Sequence, residues 1–244
     1  MKAALPSGQR LYAIGDIHGR IDLLESLHRR IQSDAAGAGA RDKTVVYLGD
    51  YVDRGPGSAA VVELLSGDPL PGFRTVCLKG NHEDLMLGAL AGTAAAAHWF
   101  MNGGLATLEA YGIDLPGPAW GRTLAGAEVP ADWRLTFDRA LPERHRDFYA
   151  RLALTFAAGN YFFVHAGVRP GVALDRQSEE DLMWIREEFL HSTADHGAVV
   201  VHGHSIVPAV EIRSNRIGVD TGAWRSGQLS CVVLDGADVA VLHT

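Results

Sequence analysis

The stretch Leu48–Gly55 reads LGDYVDRG and packs two aspartates, an arginine and two glycines into eight residues, directly after an apolar run. Aspartate and glycine disfavour strands, so a cluster of them closing an apolar run asks for a chemical reason. The same design recurs along the chain. GDIHG supplies Asp16 and His18, GDYVDRG supplies Asp50, Asp53 and Arg54, and KGNHE supplies Asn81 and His82; VHAG supplies His165, and VHGH supplies His202 and His204. Carboxylate and amide oxygens suit hard divalent cations, and imidazole suits borderline ones. A carboxylate can also bridge two cations. A pair of cations roughly 3.5–4 Å apart can clamp the attacking and leaving oxygens of a displacement at phosphorus while lowering the pKa of a shared water. Arginine adds a planar fork matched to phosphate oxygens.

Bringing such groups to one place takes strands that end together. RLYAIGD, KTVVYLGD and FRTVCLKGN read as buried strands. Each is followed by a helical pattern: GRIDLLESLHRRIQ, with Ile21, Leu24, Leu27 and Ile31 at helical spacing, then GSAAVVELLSG, then HEDLMLGAL. This strand–loop–helix rhythm predicts an α/β fold, in which the functional crevice lies at the carboxyl ends of the strands. From about Ala91 to Ala158, Pro, Gly and Trp interrupt the rhythm and ERHRDFYARLAL reads as helical. That stretch is expected to be a mostly helical insertion within one domain spanning residues 1–244. LTFAAGNYFFVHAG reads as two strands joined at Gly-Asn, and SEEDLMWIREEFL as a helix opened by Ser178. The β-like runs from Ala198 onward, AVVVHGH, AVEIR, RIGVDTG, LSCVVLD and DVAVLHT, predict a second sheet packed against the first.

Composition bounds the function. With 244 residues, 47% apolar and 21% charged, the chain reads as globular rather than disordered. Its 22 Lys and Arg against 29 Asp and Glu leave a formal charge of −7, a poor match to the phosphate backbone of nucleic acid. A small phosphorylated substrate remains compatible, because a local site can be positive on an acidic protein. Cys77 and Cys231 each sit in a strand-like run and read as buried, inert thiols; two cysteines make no disulfide framework. MKAALPSGQR does not read as a signal peptide, and no stretch of about 18 apolar residues suggests a membrane span. The expected location is the cytoplasm, with no membrane partner.

GDIHG, GDYVDRG, KGNHE, VHAG and HGHS, in this order, resemble the calcineurin-like metallophosphoesterase family. More closely, they resemble the bacterial branch of the phosphoprotein phosphatase family of serine/threonine phosphatases, as do WFMNGGLATLEAYG and LMWIREEF. The resemblance runs from about Leu11 to Leu234. It implies two packed mixed sheets flanked by helices, two divalent cations, a phosphoprotein or phosphopeptide substrate, and hydrolysis by metal-bound hydroxide with no covalent phosphoenzyme. It implies that Asp16 and His18 hold one metal, that Asp50 bridges both, and that Asn81, His165 and His204 complete the second. Arg54 and Arg186 would grip phosphate, and His82, oriented by Asp53, would protonate the leaving alkoxide. Manganese is the expected metal, with iron, zinc and magnesium also compatible. Lys79 stands where many members carry arginine; it keeps the charge and loses the fork. The alternative is a hydrolase of dinucleoside polyphosphates such as diadenosine tetraphosphate, which shares the metal motifs; WIRE and NGGLATLEAYG tilt the reading away from it. A scaffold that had lost catalysis would be expected to lose ligands, and here every ligand position and His82 is filled.

Taken singly, each residue has a plainer role. Asp16 or Asp50 could cap the following helix, Asn81 could hold a turn, and His165 could be a hydrogen-bonded core histidine. Their joint occurrence at strand ends favours a site. His202 alternates with His204 and should face the other side. Arg169 reads as a surface salt bridge, and His28, His98, His145, His191, His196 and His243 as surface or packing residues. Trp99, Phe100, Phe148 and Tyr149 read as core of the insertion.

Overall fold

Alternation along each strand decides which layer its side chains enter. The computed structural model describes residues 3–39, 41–113 and 131–244. Strands β1 (Gln9–Ile14), β2 (Asp42–Tyr47) and β3 (Arg74–Cys77) run parallel. On β1, Tyr12 and Ile14 enter a helix-covered core, whereas Leu11 and Ala13 enter a second core shared with the other sheet. That other sheet holds β4 (Thr155–Ala158), β5 (Tyr161–Val164), β6 (Val199–His202), β7 (Glu211–Ile212) and β8 (Arg216–Gly218), in the order β4-β5-β6-β8-β7. Its Phe163, Val201 and Ile217 meet Val46 and Leu48 between the sheets. Phe162, Val164 and Val200 point outward under a third, smaller core. The result is the expected pair of packed mixed sheets flanked by helices.

One assignment differs from expectation. Of the five C-terminal β runs, only the first three join the second sheet. The last two, β9 (Ser230–Asp235) and β10 (Asp238–His243), pair antiparallel in the first sheet, whose order is β10-β9-β1-β2-β3. The reason lies in β9 itself. Cys231 and Val233 feed the helix-side core while Val232 and Leu234 feed the core between the sheets. A strand apolar on both faces needs a layer on each side, and the position beside β1 provides both. Cys77 and Cys231 are free thiols on β3 and β9.

Helices α1 (Ile21–Gly37), α2 (Ser58–Leu65) and α3 (Asn81–Ala91) follow β1, β2 and β3 and cover the first sheet. The stretch expected as an insertion holds α4 (Ala96–Trp99), a π-type turn over Phe100–Gly104, α5 (Leu105–Ala110), α6 (Trp133–Ala140) and α7 (Glu143–Ala150), and its last residues are β4 of the second sheet. Residues 114–130 of that stretch lie outside the described residues. Trp99 packs against Trp133 and Phe137, and with Phe100, Phe148 and Tyr149 it belongs to the helix-side core. SEEDLMWIREEFL does not form one helix. It splits into α8 (Glu179–Trp184) and α9 (Glu187–Leu190) around Ile185, whose extended ψ of 141° buries it with Phe162 and Phe189. No described helix is long and apolar enough to cross a membrane.

Candidate metal centre

The loops after β1, β2, β3, β5 and β6 meet at the carboxyl ends of their strands and are stitched to one another. Ile17 and His18 donate backbone N–H groups to Asp50 O, and Gly19 donates to Tyr51 O. Gly203 donates to His165 O, and His204 N–H reaches both Asp16 carboxylate oxygens at 3.1 Å. Among the described residues, the non-glycine positions with positive φ are His18, Asp50, Asp53, Arg54 and His204. Each is a residue marked by the sequence motifs. Left-handed backbone costs on the order of 1–2 kcal/mol per non-glycine residue, and such strain concentrates at functional sites.

Asp50 stands at the centre. Its Oδ2 lies 3.5 Å from His18 Nε2 and 3.9 Å from His82 Nε2, while its Oδ1 lies 3.4 Å from His165 Nε2. The two oxygens therefore face two buried groups able to hold a cation, His18–Asp50–His82 and Asp50–His165–His204. Burial opposes the Asp50 charge, and any proton taken up by the neighbouring imidazoles, His165 first and then His82, favours it, so the net direction of the carboxyl is downward. Burial lowers His18 and His165 and takes His204 down to about 2, so all three are neutral and carry lone pairs.

Hydrogen bonds fix where those lone pairs point. His165 Nδ1 donates to Leu48 O at 2.8 Å, and His18 Nδ1 donates to Val52 O at 2.8 Å, which leaves Nε2 of each ring as an acceptor. His165 Nε2 then faces Asn81 Oδ1 at 2.9 Å, with no proton to share between two acceptors. His204 Nδ1 lies 2.8 Å from the same oxygen, and its buried Nε2 has no partner. Two acceptors facing each other with no proton between them, His165 Nε2 and Asn81 Oδ1, are what a cation resolves. The chemistry of this donor set fits a divalent metal.

Asp16 occupies a different position from the other expected ligands. It lies outside both groups, anchors the His204 backbone, and neighbours Asp220. Burial, then the charges of Asp220 and Asp50, push its carboxyl up. Asp220, buried at the end of β8, is pushed up to about 6, chiefly by burial. A crowded pair of acids beside Asp50 is a further place where positive charge is favoured.

Arg54 bridges the histidines, with Nη1 donating to His18 Nε2 at 3.0 Å and Nη2 to His82 Nε2 at 2.9 Å. The Trp224 ring lies under its guanidinium at 5.3 Å. His82 Nδ1 donates to Asp53 Oδ2 at 2.7 Å. Burial would lower His82, but Asp50 and Asp53 raise it above its ordinary value. Arg186 is exposed at the break between α8 and α9, not on a helix as expected, and its Nη1 reaches Ser205 Oγ at 3.5 Å. Its exposure and its reach to Ser205, the neighbour of His204, put it at the edge of the crevice, where its charge adds to burial in lowering His165 and His204. Lys79 is held by Asp84 at 2.5 Å. His202 is buried against Phe189, and Arg169 pairs with Asp181 and Glu188.

The motif reading passed over two acids. Glu83 is fully buried and accepts backbone N–H groups from Asp50, Tyr51, Val52 and Gly80, so it shapes the loop that carries Asp50. It sits inside the KGNHE motif. Asp220 closes the apolar run RIGVD just as Asp16 and Asp50 close theirs, and that pattern was its signal.

A family model for the calcineurin-like phosphoesterases matches residues 9–225. The chain is a calcineurin-like phosphoesterase. As a member of this metallophosphoesterase family it is a phosphoester hydrolase. The calcineurin-like phosphoesterase is 26% identical to serine/threonine-protein phosphatase 2 of Salmonella typhimurium over 242 residues, 91% of each chain. It is 27% identical to the protein of the same name from Escherichia coli over 230 residues, again 91% of each. A crystal structure provisionally named a diadenosine tetraphosphatase superposes with a TM-score of 0.65 at 20% identity, covering 99% of this chain and 98% of the other, and so shares the fold.

Proposed function

We propose that this phosphoesterase removes phosphate from phosphoserine and phosphothreonine in protein or peptide substrates, with two divalent cations held by Asp16, His18, Asp50, Asn81, His165 and His204. The observation that carries the reading is Asp50, whose two oxygens face separate histidine groups beside an arginine and an imidazole–carboxylate pair. Its protein-phosphatase character is supported by the bacterial relatives of that name. Manganese is the metal proposed, since mixed carboxylate, amide and imidazole donors suit it.

When bound, the cations supply a water of lowered pKa and neutralise charge on the phosphoryl oxygens. The chain's own residues do the rest. Arg54 turns from the lone pairs of His18 and His82 to the phosphoryl oxygens, for which its fork is matched. That movement frees His82 Nε2 to carry a proton. His82, charged through its contacts with Asp50 and Asp53, then gives that proton to the departing serine or threonine oxygen. Arg186, at the mouth, adds a second positive contact for phosphate.

The test is a side-by-side comparison of phosphoserine and phosphothreonine peptides with diadenosine tetraphosphate, with manganese supplied and then chelated. Peptide turnover that stops with chelator and returns with manganese is expected. Faster cleavage of the dinucleotide would assign the chain to the alternative substrate class, and no hydrolysis of either with any divalent metal would overturn the enzyme reading.

A further inference from the structure

The insertion reaches into the crevice. Asp53 is completely buried, and its carboxylate meets more than His82. Trp99 Nε1 donates to both carboxylate oxygens at 3.0 Å, and Thr107 Oγ1 donates to Oδ1 at 2.6 Å. Thr107 Oγ1 also accepts the Asp53 backbone N–H at 2.9 Å. The next residue, Arg54, donates its backbone N–H to Gly103 O at 3.2 Å. Among the described residues, every side-chain donor to the Asp53 carboxylate apart from His82 thus comes from the insertion.

Asp53 and Arg54 are consecutive non-glycine residues at φ 72° and 68°. Two such residues in a row persist when their surroundings over-determine them. The insertion supplies that constraint. Gly103 is itself at φ 104°, where a Cβ would stand 2.8 Å from Arg54 N, so the close approach requires glycine. Gly104 lies flat against the Trp99 indole, where a Cβ would stand 2.5 Å from the ring. NGG in the sequence therefore serves contact with the Asp53–Arg54 dipeptide.

We propose that Trp99 and Thr107 are positioning residues of the proton-transfer step, locking the Asp53 carboxylate in the rotamer that aims His82 at the leaving oxygen. The proposal rests on the reading of His82 as proton donor. A carboxylate held at both oxygens cannot swing away from His82 Nδ1, and an imidazole pinned at Nδ1 keeps Nε2 pointed into the crevice. The insertion, on this account, is part of the machinery that makes alkyl phosphates, with their poor leaving groups, cleavable.

The test compares a phosphoserine peptide, whose alkoxide needs a proton, with p-nitrophenyl phosphate, whose leaving group does not. Trp99→Phe keeps the aromatic packing and removes the N–H; Thr107→Val keeps the shape and removes the O–H. Each should lower kcat on the peptide by about tenfold and on the aryl ester by about twofold or less, within the range that general acid catalysis supplies. Thr107→Ser should restore peptide turnover. In a His82→Asn background neither substitution should add a selective loss. Equal losses on both substrates, or a selective loss that persists in full without His82, overturn the proposal. If Trp99→Phe fails to fold, the Thr107→Val and Thr107→Ser pair decides alone. Selective loss in His82→Asn without selective loss in the insertion variants overturns the positioning role only; equal loss on both substrates in His82→Asn itself overturns the proton-donor reading and this proposal together.

Discussion

A single carboxylate organises the crevice. Asp50 is buried among histidines, and its carboxylate is the one feature both halves of the site share. Asp50→Asn keeps the volume and the acceptor for His82 N–H while removing that charge. Manganese affinity, followed by titration calorimetry, should fall by more than about a hundredfold, beyond the range for loss of an outer-shell partner, while the thermal melt of the metal-free protein stays close to wild type. At this scale the sequence was informative because the chemistry demands residue types rare at the ends of apolar runs. His18, Asp50, Asn81, His82, His165 and His204, drawn from four separate motifs and GDYVDRG, lie within hydrogen-bond or near-contact distance of one another. What stayed illegible was second partners. Trp99 reads as a packing residue in any window of sequence, and it is one, with every ring contact expected of a core tryptophan. Its N–H points at a residue 46 positions away, a pairing that local pattern does not encode.

Loops carry these residues, and the elements around them leave little slack. Gly55 shows the tolerance: a Cβ there would stand 2.1 Å from His18 O, a backbone atom that cannot move without dragging the loop after β1. Gly55→Ala should therefore both destabilise the fold, by about 1–3 kcal/mol as an overpacking change, and depress turnover more than the lost stability explains. Denaturant melts and kcat on one enzyme preparation separate the two effects. The three strand–helix units from β1 to α3 were readable because each strand is a short apolar run and each helix follows with its own periodicity. SEEDLMWIREEFL misled because Ile185 and Phe189 carry a helical spacing, and only the core they enter forces the chain extended at Ile185. The C-terminal runs were legible as strands and not as members of a particular sheet, since pairing partners are chosen by layers that the local sequence does not contain.

For the molecule as a whole, stability depends on proton uptake away from the crevice as well as within it. His28 is buried on α1 with its Nε2 2.9 Å from the Tyr47 hydroxyl, and burial holds its imidazole down to about 4. Its folded pKa lies below the unfolded value, so the unfolded chain takes the proton first. Stability is then unaffected above about pH 6.5 and falls as pH drops from there toward 4. His28→Gln retains a group able to bond Tyr47 and has nothing to titrate. The drop in unfolding free energy between pH 7 and pH 4.5, measured in urea, should be smaller in this variant by roughly 2 kcal/mol. An unchanged drop would place the acid sensitivity in other titrating groups, the buried histidines and the paired carboxylates.

The pairing of β9 with β1 reaches beyond the finished molecule. On a ribosome, Ile14 emerges about 215 residues ahead of the neighbour it will pair with, an interval of roughly ten to forty seconds at usual rates of synthesis. Throughout that time the nascent first sheet presents a bare flank to other chains. His204 also follows His18, Asp50 and His82 along the chain, so the growing polypeptide cannot gather both histidine groups around Asp50 until that later segment has been made.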